Sequence, residues 1–269
     1  MGSNYDTMLG VWTGEPGSMT RVVCNDNALS KVQSQLTFKY AADVVYYVGA
    51  AQKGASETGG DLKVSFTSFQ DVPGNHNLWR YVEGFFSKGI TTGCNINPMR
   101  YCPDRNVTRA EMAVFVLRSK HVDDPVAYVP VNVTPNVFAD VPTTGKEWME
   151  PWIEQFYSEG ITTGCGFTSG GLRLYCPERS VNRGEMAIFM LRAVHGSSYT
   201  PPPGTGIFVD VPATNWMQPW IEQFYNEHIT TGCSGSLPGV DLKYCPVRNV
   251  NRAEMATFVD RAFGFPALP

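Results

Sequence analysis

The string ITTGC occurs three times, at Ile90–Cys94, Ile161–Cys165 and Ile229–Cys233, and each copy is followed by YCP and then by VTRAEMA, VNRGEMA or VNRAEMA. Upstream of each copy stands an FxDVP string, opening at Phe69, Phe138 and Phe208, with Asp71, Asp140 and Asp210 in register. A repeat of this kind constrains the fold more than any single motif, because one short unit cannot bury its own apolar face and must stack on its neighbours. The copies read as units 69–122, 138–196 and 208–264, preceded by a segment 1–68 of different character.

Each unit carries two helical patterns. In the second copy Trp148, Trp152, Ile153, Phe156 and Tyr157 recur at helical spacing, with Gly160 as a natural residue just past the end. Pro151 and Pro219 fall near the first turn, where a missing N–H removes no intrahelical bond. His228 stands where the other copies have Gly89 and Gly160, which predicts a different helix ending in the third unit. The second helix opens on a capping box, Thr108 with Glu111, Asn182 with Glu185 and Asn251 with Glu254. Val107/Met112, Val181/Met186 and Val250/Met255 sit at the positions of a hydrophobic staple.

Helix initiation does not explain Arg109, Arg183 and Arg252, which sit at the first helical position. A cation there opposes the helix dipole by a few tenths of a kcal/mol up to roughly 1 kcal/mol. Two readings account for it: an anionic ligand held by the guanidinium and free helix amides, or an internal ion pair to the DVP aspartate or a neighbouring repeat.

Six of the seven cysteines form three local pairs, Cys94/Cys102, Cys165/Cys176 and Cys233/Cys245, around loops of unequal length. Fixed ends around a variable loop indicate disulfide staples, each contributing roughly 2–3 kcal/mol in the chain-entropy account. Zinc is the competing reading, but it usually takes four ligands and no nearby His or second CxxC completes a site. Three staples imply an oxidising compartment outside the cytoplasm, and leave Cys24 in need of a partner or buried as a thiol.

The formal charge of −4, with 21 basic residues and no basic run, gives no footprint for nucleic acid. No apolar run reaches bilayer length, so no membrane insertion is expected, and MGSNYDTMLG lacks the features of a signal peptide.

FxDVP, an aromatic-rich helix, GITTG, a loop, PxxxVTRAEMAxF and LR together resemble the S-layer homology repeat, over about 69–264. The GITTGC…YCP form is similar to a cysteine-containing variant found in some bacterial exported proteins. The resemblance implies a pseudo-threefold helical bundle that holds an exported protein to the cell surface by binding cell-wall polysaccharide, often through pyruvylated sugars. It places Arg109, Arg183 and Arg252 at the anionic sugar, with Asp71, Asp140, Asp210, Thr108, Gly89 and Gly160 around them. The second and third copies depart from TRAE, reading NRGE and NRAE, and His228 replaces the Gly of GIT, so unequal sites are expected with the first most complete.

Residues 1–68 show short runs rich in β-branched and aromatic residues between Gly, Pro, Asn and Asp, which read as four or five antiparallel strands. SNYDTMLGVWTG…VVCNDN…LTFKYAADVVYYVGAA resembles the second half of the bacterial pre-peptidase C-terminal domain, a jelly-roll-like β-sandwich. Half a sandwich would expose edges and an apolar face. Three accounts are open: a fragment of a longer precursor, pairing with another chain on the way to filaments, or a minimal sheet packed on the repeats. In that family acidic turn residues can lie near calcium, which makes Asp6, Asn25 and Asp26 weak candidates, although isolated Asp and Asn in turns more often form Asx-turns.

No HExxH, GxSxG, P-loop or GxGxxG occurs, and Glu154 and Glu222 at matching places on two helices read as a solvated face. No enzyme activity and no cofactor is expected. Trp148, Trp152, Trp216 and Trp220 could stack on sugars but at helical spacing favour the core. The expected fold is α+β: a β-sandwich segment and then a helical triplet of repeats. The expected partner is a cell-wall polysaccharide. The alternative is a structural subunit of a surface layer, sheath or filament, whose partners are copies of itself or other surface-layer proteins.

Overall fold

The computed structural model describes residues 7–26, 34, 36, 38, 44–52, 67–122, 128–130, 137–141 and 145–265. The chain divides into two compact units, Met1–Phe66 and Thr67–Pro269.

The N-terminal unit contains an antiparallel sheet of β1 (Thr7–Thr13), β2 (Thr20–Asn25) and β3 (Tyr46–Gln52) in the order β2-β1-β3. Gly10 of β1 and Gly49 of β3 are paired in register, and the Trp12 ring lies over both; a Cβ at Gly10 would come within 2.3 Å of that ring. Val11 of β1 is fully buried, whereas Met8, Val22, Val45 and Val48 are exposed. Most of SQLTFKYAA and of DLKVSFTS, where further strands were expected, lies outside the described residues, as does Asp6.

The second unit is built from six described helices, two per repeat: α1 (Trp79–Ser87) and α2 (Arg109–Lys120), α3 (Met149–Ser158) and α4 (Arg183–His195), α5 (Gln218–Asn226) and α6 (Arg252–Phe263). The second helices α2, α4 and α6 pack on one another at the centre, and each first helix packs on the second helix of a different repeat. Thus α3 lies on α2, α5 on α4, and α1 on α6, which closes the three repeats into a ring. A circuit of backbone bonds runs through its middle, from Val107 N–H to Val250 O, Val181 N–H to Val107 O and Val250 N–H to Val181 O.

All three capping boxes form, and the staple residues Val107/Met112, Val181/Met186 and Val250/Met255 are fully buried. The expected difference at His228 is corrected. His228 adopts φ +59, alongside +68 at Gly89 and +70 at Gly160, and the third unit ends its helix with the same pair of bonds. His228 N–H donates to Tyr225 O at 2.8 Å and Ile229 N–H to Phe224 O at 3.2 Å, a Schellman ending. The packed bundle imposes the left-handed turn, and His pays roughly 1–2 kcal/mol of backbone strain to follow it.

Candidate functional site

The ITTGC string is a packing device at the foot of each first helix. Ile90, Ile161 and Ile229 are buried, and the following Thr hydroxyls accept from the N–H of Gly93, Gly164 and Gly232 at 3.1 Å. Gly93 has φ +88, and a Cβ there would sit 2.5 Å from Arg100 O and 2.8 Å from the Phe69 ring, so only Gly fits between the hairpin and the FxDVP phenylalanine. Disulfides Cys94–Cys102, Cys165–Cys176 and Cys233–Cys245 then close the loop, with Cα–Cα separations of 6.0, 6.1 and 6.1 Å.

The DVP aspartates clamp the other end of that loop. Asp71 accepts N–H bonds from Tyr101 and Cys102, both at 2.8 Å; Asp140 takes Tyr175 and Cys176 and Asp210 takes Tyr244 and Cys245. Cys102, Cys176 and Cys245 have φ of 57°, 58° and 58°, strained for a residue with a Cβ, and two charge-assisted bonds per aspartate hold them there. Each aspartate also lies with its two cysteine sulfurs in a half-buried cluster whose donor atoms are within 4.8 Å of one another, although in this state the sulfurs are bonded to each other.

Arg109, Arg183 and Arg252 are 0%, 1% and 2% exposed, and each reaches into another repeat. Arg109 donates through Nε to Tyr175 O at 2.7 Å, through Nη2 to Gly164 O at 3.3 Å and pairs with Glu185 at 3.2 Å. Arg183 repeats the pattern on Tyr244, Gly232 and Glu254, and Arg252 turns back to Tyr101, Thr91 and Glu111. Each guanidinium also lies over two rings, Tyr175 and Phe189 for Arg109, at 4.7 and 5.1 Å. The tyrosine answers by donating its hydroxyl to the arginine's own carbonyl, as Tyr175 does to Arg109 O at 2.8 Å. Burial lowers the arginine pKa values and raises those of Tyr101, Tyr175 and Tyr244.

Of the two readings of these arginines, the internal ion pair to a neighbouring repeat is the one formed, and the partner is the capping-box glutamate rather than the DVP aspartate. The helix amides expected to be free are engaged as well. Arg109 N–H donates to Arg179 O at 2.9 Å, Ala110 N–H to Pro177 O at 3.0 Å, and Glu111 N–H to the Thr108 hydroxyl at 3.2 Å, with matching bonds at the other two helix starts. Thr108 is therefore occupied as a cap, and Gly89 and Gly160 by their left-handed turns.

Glu154 and Glu222 were expected on a solvated face, and this is corrected: both are 2% exposed. With Glu83 they accept backbone N–H bonds from the chain entering FxDVP, Ser68 on Glu83, Val137 on Glu154 and Gly206 on Glu222. An apolar helix face with one buried acid per copy hid this from a periodicity argument. The tryptophans divide: Trp152 is buried, Trp220 is half-buried, and Trp148 and Trp216 are exposed.

A second set of arginines, unmarked by the sequence reading, lies one helix length further on. Arg118, Arg192 and Arg261 hold matching places near the ends of α2, α4 and α6, each bonded to the Ile carbonyl of its own ITTGC string at 3.2, 3.5 and 3.3 Å. Each stacks on an aromatic of the helix packed against it, Trp152 at 5.1 Å, Trp220 at 5.2 Å and Tyr81 at 5.7 Å. Among the described residues none of the three has an ion-pair partner, and the buried Nε of Arg118 and of Arg192 has no hydrogen-bond acceptor. Burial lowers the pKa of Arg118 and Arg192, with no nearby charge to offset it. The LR of the first two repeats, Leu117–Arg118 and Leu191–Arg192, was the available signal for two of them; the third reads Asp260–Arg261.

An open depression of about 550 Å³ lies elsewhere, lined by Asp140, Lys146, Glu178 and Arg179, but its charges are satisfied within the chain, Lys146 on Glu178 and Arg179 on Glu185. Asn25 ends β2, Asp26 follows it, and Cys24, expected to be paired or buried, is exposed as a free thiol. The three disulfides point to an oxidising, non-cytoplasmic location, and no described helix is long and apolar enough to cross a membrane. A scan against known protein families finds no match, and a search of curated proteins finds none.

Proposed function

We propose that the chain is an exported bacterial surface protein whose ring of S-layer-homology-like repeats attaches non-covalently to an anionic cell-wall polysaccharide of the pyruvylated type. The observation that supports this reading is a guanidinium without an ion-pair partner among the described residues at each seam between repeats, half-open in Arg118 and Arg192 and exposed in Arg261, resting on an aromatic ring. A carboxylate-bearing sugar meets both needs of such a place, a counter-charge for the cation and a face for the ring. Arg109, Arg183 and Arg252, with Asp71, Asp140, Asp210, Thr108, Gly89 and Gly160, serve the reading by holding the seams in shape.

The alternative, a subunit of a surface layer, sheath or filament, is favoured by one feature. The disulfide loops carry exposed apolar side chains at their tips: Ile96 in the first, Phe167 and Leu172 in the second, Leu237 and Val240 in the third.

Co-sedimentation with purified wall sacculi, before and after chemical removal of the secondary polymer, separates the two. Polymer-dependent binding, lost in a folded Arg118→Ala/Arg192→Ala/Arg261→Ala chain, is the expected result. A chain that ignores sacculi but sediments alone as ordered assemblies overturns the anchor and favours the subunit.

A further inference from the structure

The aspartate and cysteine pair of each repeat were expected to act separately, the aspartate at the ligand and the cysteines as a staple. The fold brings them together. Asp71 with Cys94 and Cys102, Asp140 with Cys165 and Cys176, and Asp210 with Cys233 and Cys245 each place three donor atoms within 4.8 Å of one another, half-buried. The zinc reading of the cysteines lacked a further ligand in the sequence because that ligand stands about 30 residues upstream in the FxDVP turn.

Two features besides the S–S bond hold these residues in place. The first cysteine of each pair is fixed by its backbone, Cys94 N–H on Arg100 O, Cys165 N–H on Leu174 O and Cys233 N–H on Lys243 O, all at 2.7 Å. The second is fixed by the aspartate that accepts its N–H. Each carboxylate oxygen accepts one such N–H, which leaves a lone pair for a metal ion. With the Cα atoms 6.0–6.1 Å apart, modest side-chain rotation lets two thiolates meet one ion at the roughly 2.3 Å of a Zn–S bond.

We infer that, when its disulfides are reduced, the chain holds three divalent zinc-type ions, each bound by one FxDVP aspartate, the two cysteines of the same repeat, and water at the remaining position. The staple and the metal are then alternative closures of one loop, selected by the redox state of the surroundings.

The test uses the full chain carrying Cys24→Ser, so that only paired cysteines supply thiols. A water-soluble phosphine reduces each disulfide: the phosphine takes the oxygen of one water and becomes its oxide, and the two sulfurs take up the two hydrogens. Added Co2+ displaces both thiol protons at each site to solvent. The expected result is a thiolate-to-cobalt charge-transfer band saturating at three ions per chain, absent from the unreduced chain and reversed by Zn2+. Asp71→Asn/Asp140→Asn/Asp210→Asn should weaken binding by about tenfold or more. A single Asp140→Asn chain, weakened at one site only, serves if the triple variant does not fold. The inference is overturned if the reduced chain keeps its helical signal and binds no cobalt, or if the aspartate variants bind as tightly. Loss of the helical signal on reduction that Zn2+ does not restore also overturns it.

Discussion

Where α3 meets α2, Glu159 gathers Lys120 at 2.6 Å, His121 at 3.0 Å and Gln155 at 2.8 Å, and where α5 meets α4, Glu227 gathers His195 and Gln223. Where α1 meets α6 the corresponding residues are Lys88, Gly264 and Gly84, and no such clip exists among the described residues. The third seam also has the longest of the three arginine ion pairs, 3.7 Å for Arg252–Glu111 beside 3.2 and 3.3 Å. At its centre Asp260 is buried where the other copies bury Leu117 and Leu191. The first two seams join repeats adjacent in the chain, whereas the third joins the first repeat to the last. A ring of similar units therefore has one seam that opens at least cost, because the missing clip, the longest arginine ion pair and the buried Asp260 fall there together.

Removing an arginine from a strong seam gives the largest effect. Arg183→Ala removes the buried guanidinium that bonds the Tyr244 and Gly232 carbonyls and leaves Glu254 to Arg248 alone, and should cost about 3–5 kcal/mol in urea unfolding. Arg252→Ala should cost less, and equal costs would break the comparison between seams.

Placing there the residue of the other two copies, Asp260→Leu, should stabilise the chain by about 1 kcal/mol at neutral pH, since burial disfavours the ionised carboxylate and only Lys88 and Arg261 act against it. Burial raises the Asp260 pKa, with Lys88 on α1 and Arg261 on its own helix acting against that shift. The unfolded chain then ionises first as pH rises from about 3.9. Stability from this group is fully present below that pH and is lost as pH rises through the folded value. Thermal unfolding of the wild type and Asp260→Leu across pH 3–7 should show their difference growing with pH; a constant gap counts against a buried acid.

Glu159→Gln should cost about 0.5–1 kcal/mol by loosening the clip, and more than Lys88→Gln at the same place in the third seam, where only Asp260 and the Phe265 ring face the ammonium. His228→Gly should gain about 1 kcal/mol by relieving the left-handed backbone. Gly160→Ala should lose more than that, because its Cβ would meet Ser197 Cβ at 2.3 Å. Melting curves of these variants check both.

The three repeated units, capping boxes, disulfides and left-handed helix ends at Gly89 and Gly160 were legible because each depends on residues close together in the sequence. The partner of Arg109 was not, because Tyr175 and Glu185 lie 66 and 76 residues away in another repeat, and local spacing carries no record of which repeat follows round the ring. The buried role of Glu83, Glu154 and Glu222 was hidden for a different reason, their partners being backbone amides, which no side-chain pattern marks. His228 misled because Gly is the usual left-handed residue, and packing enforced the turn on a residue that resists it.

Native-state hydrogen exchange, read helix by helix on the full chain and on Asp260→Leu, tests the closed ring with one weak seam most directly. The account predicts that α1 amides exchange faster than those of α3 and α5, and that Asp260→Leu slows α1 selectively. Equal protection of the three first helices, or an opening that begins at α3 or α5, would contradict it.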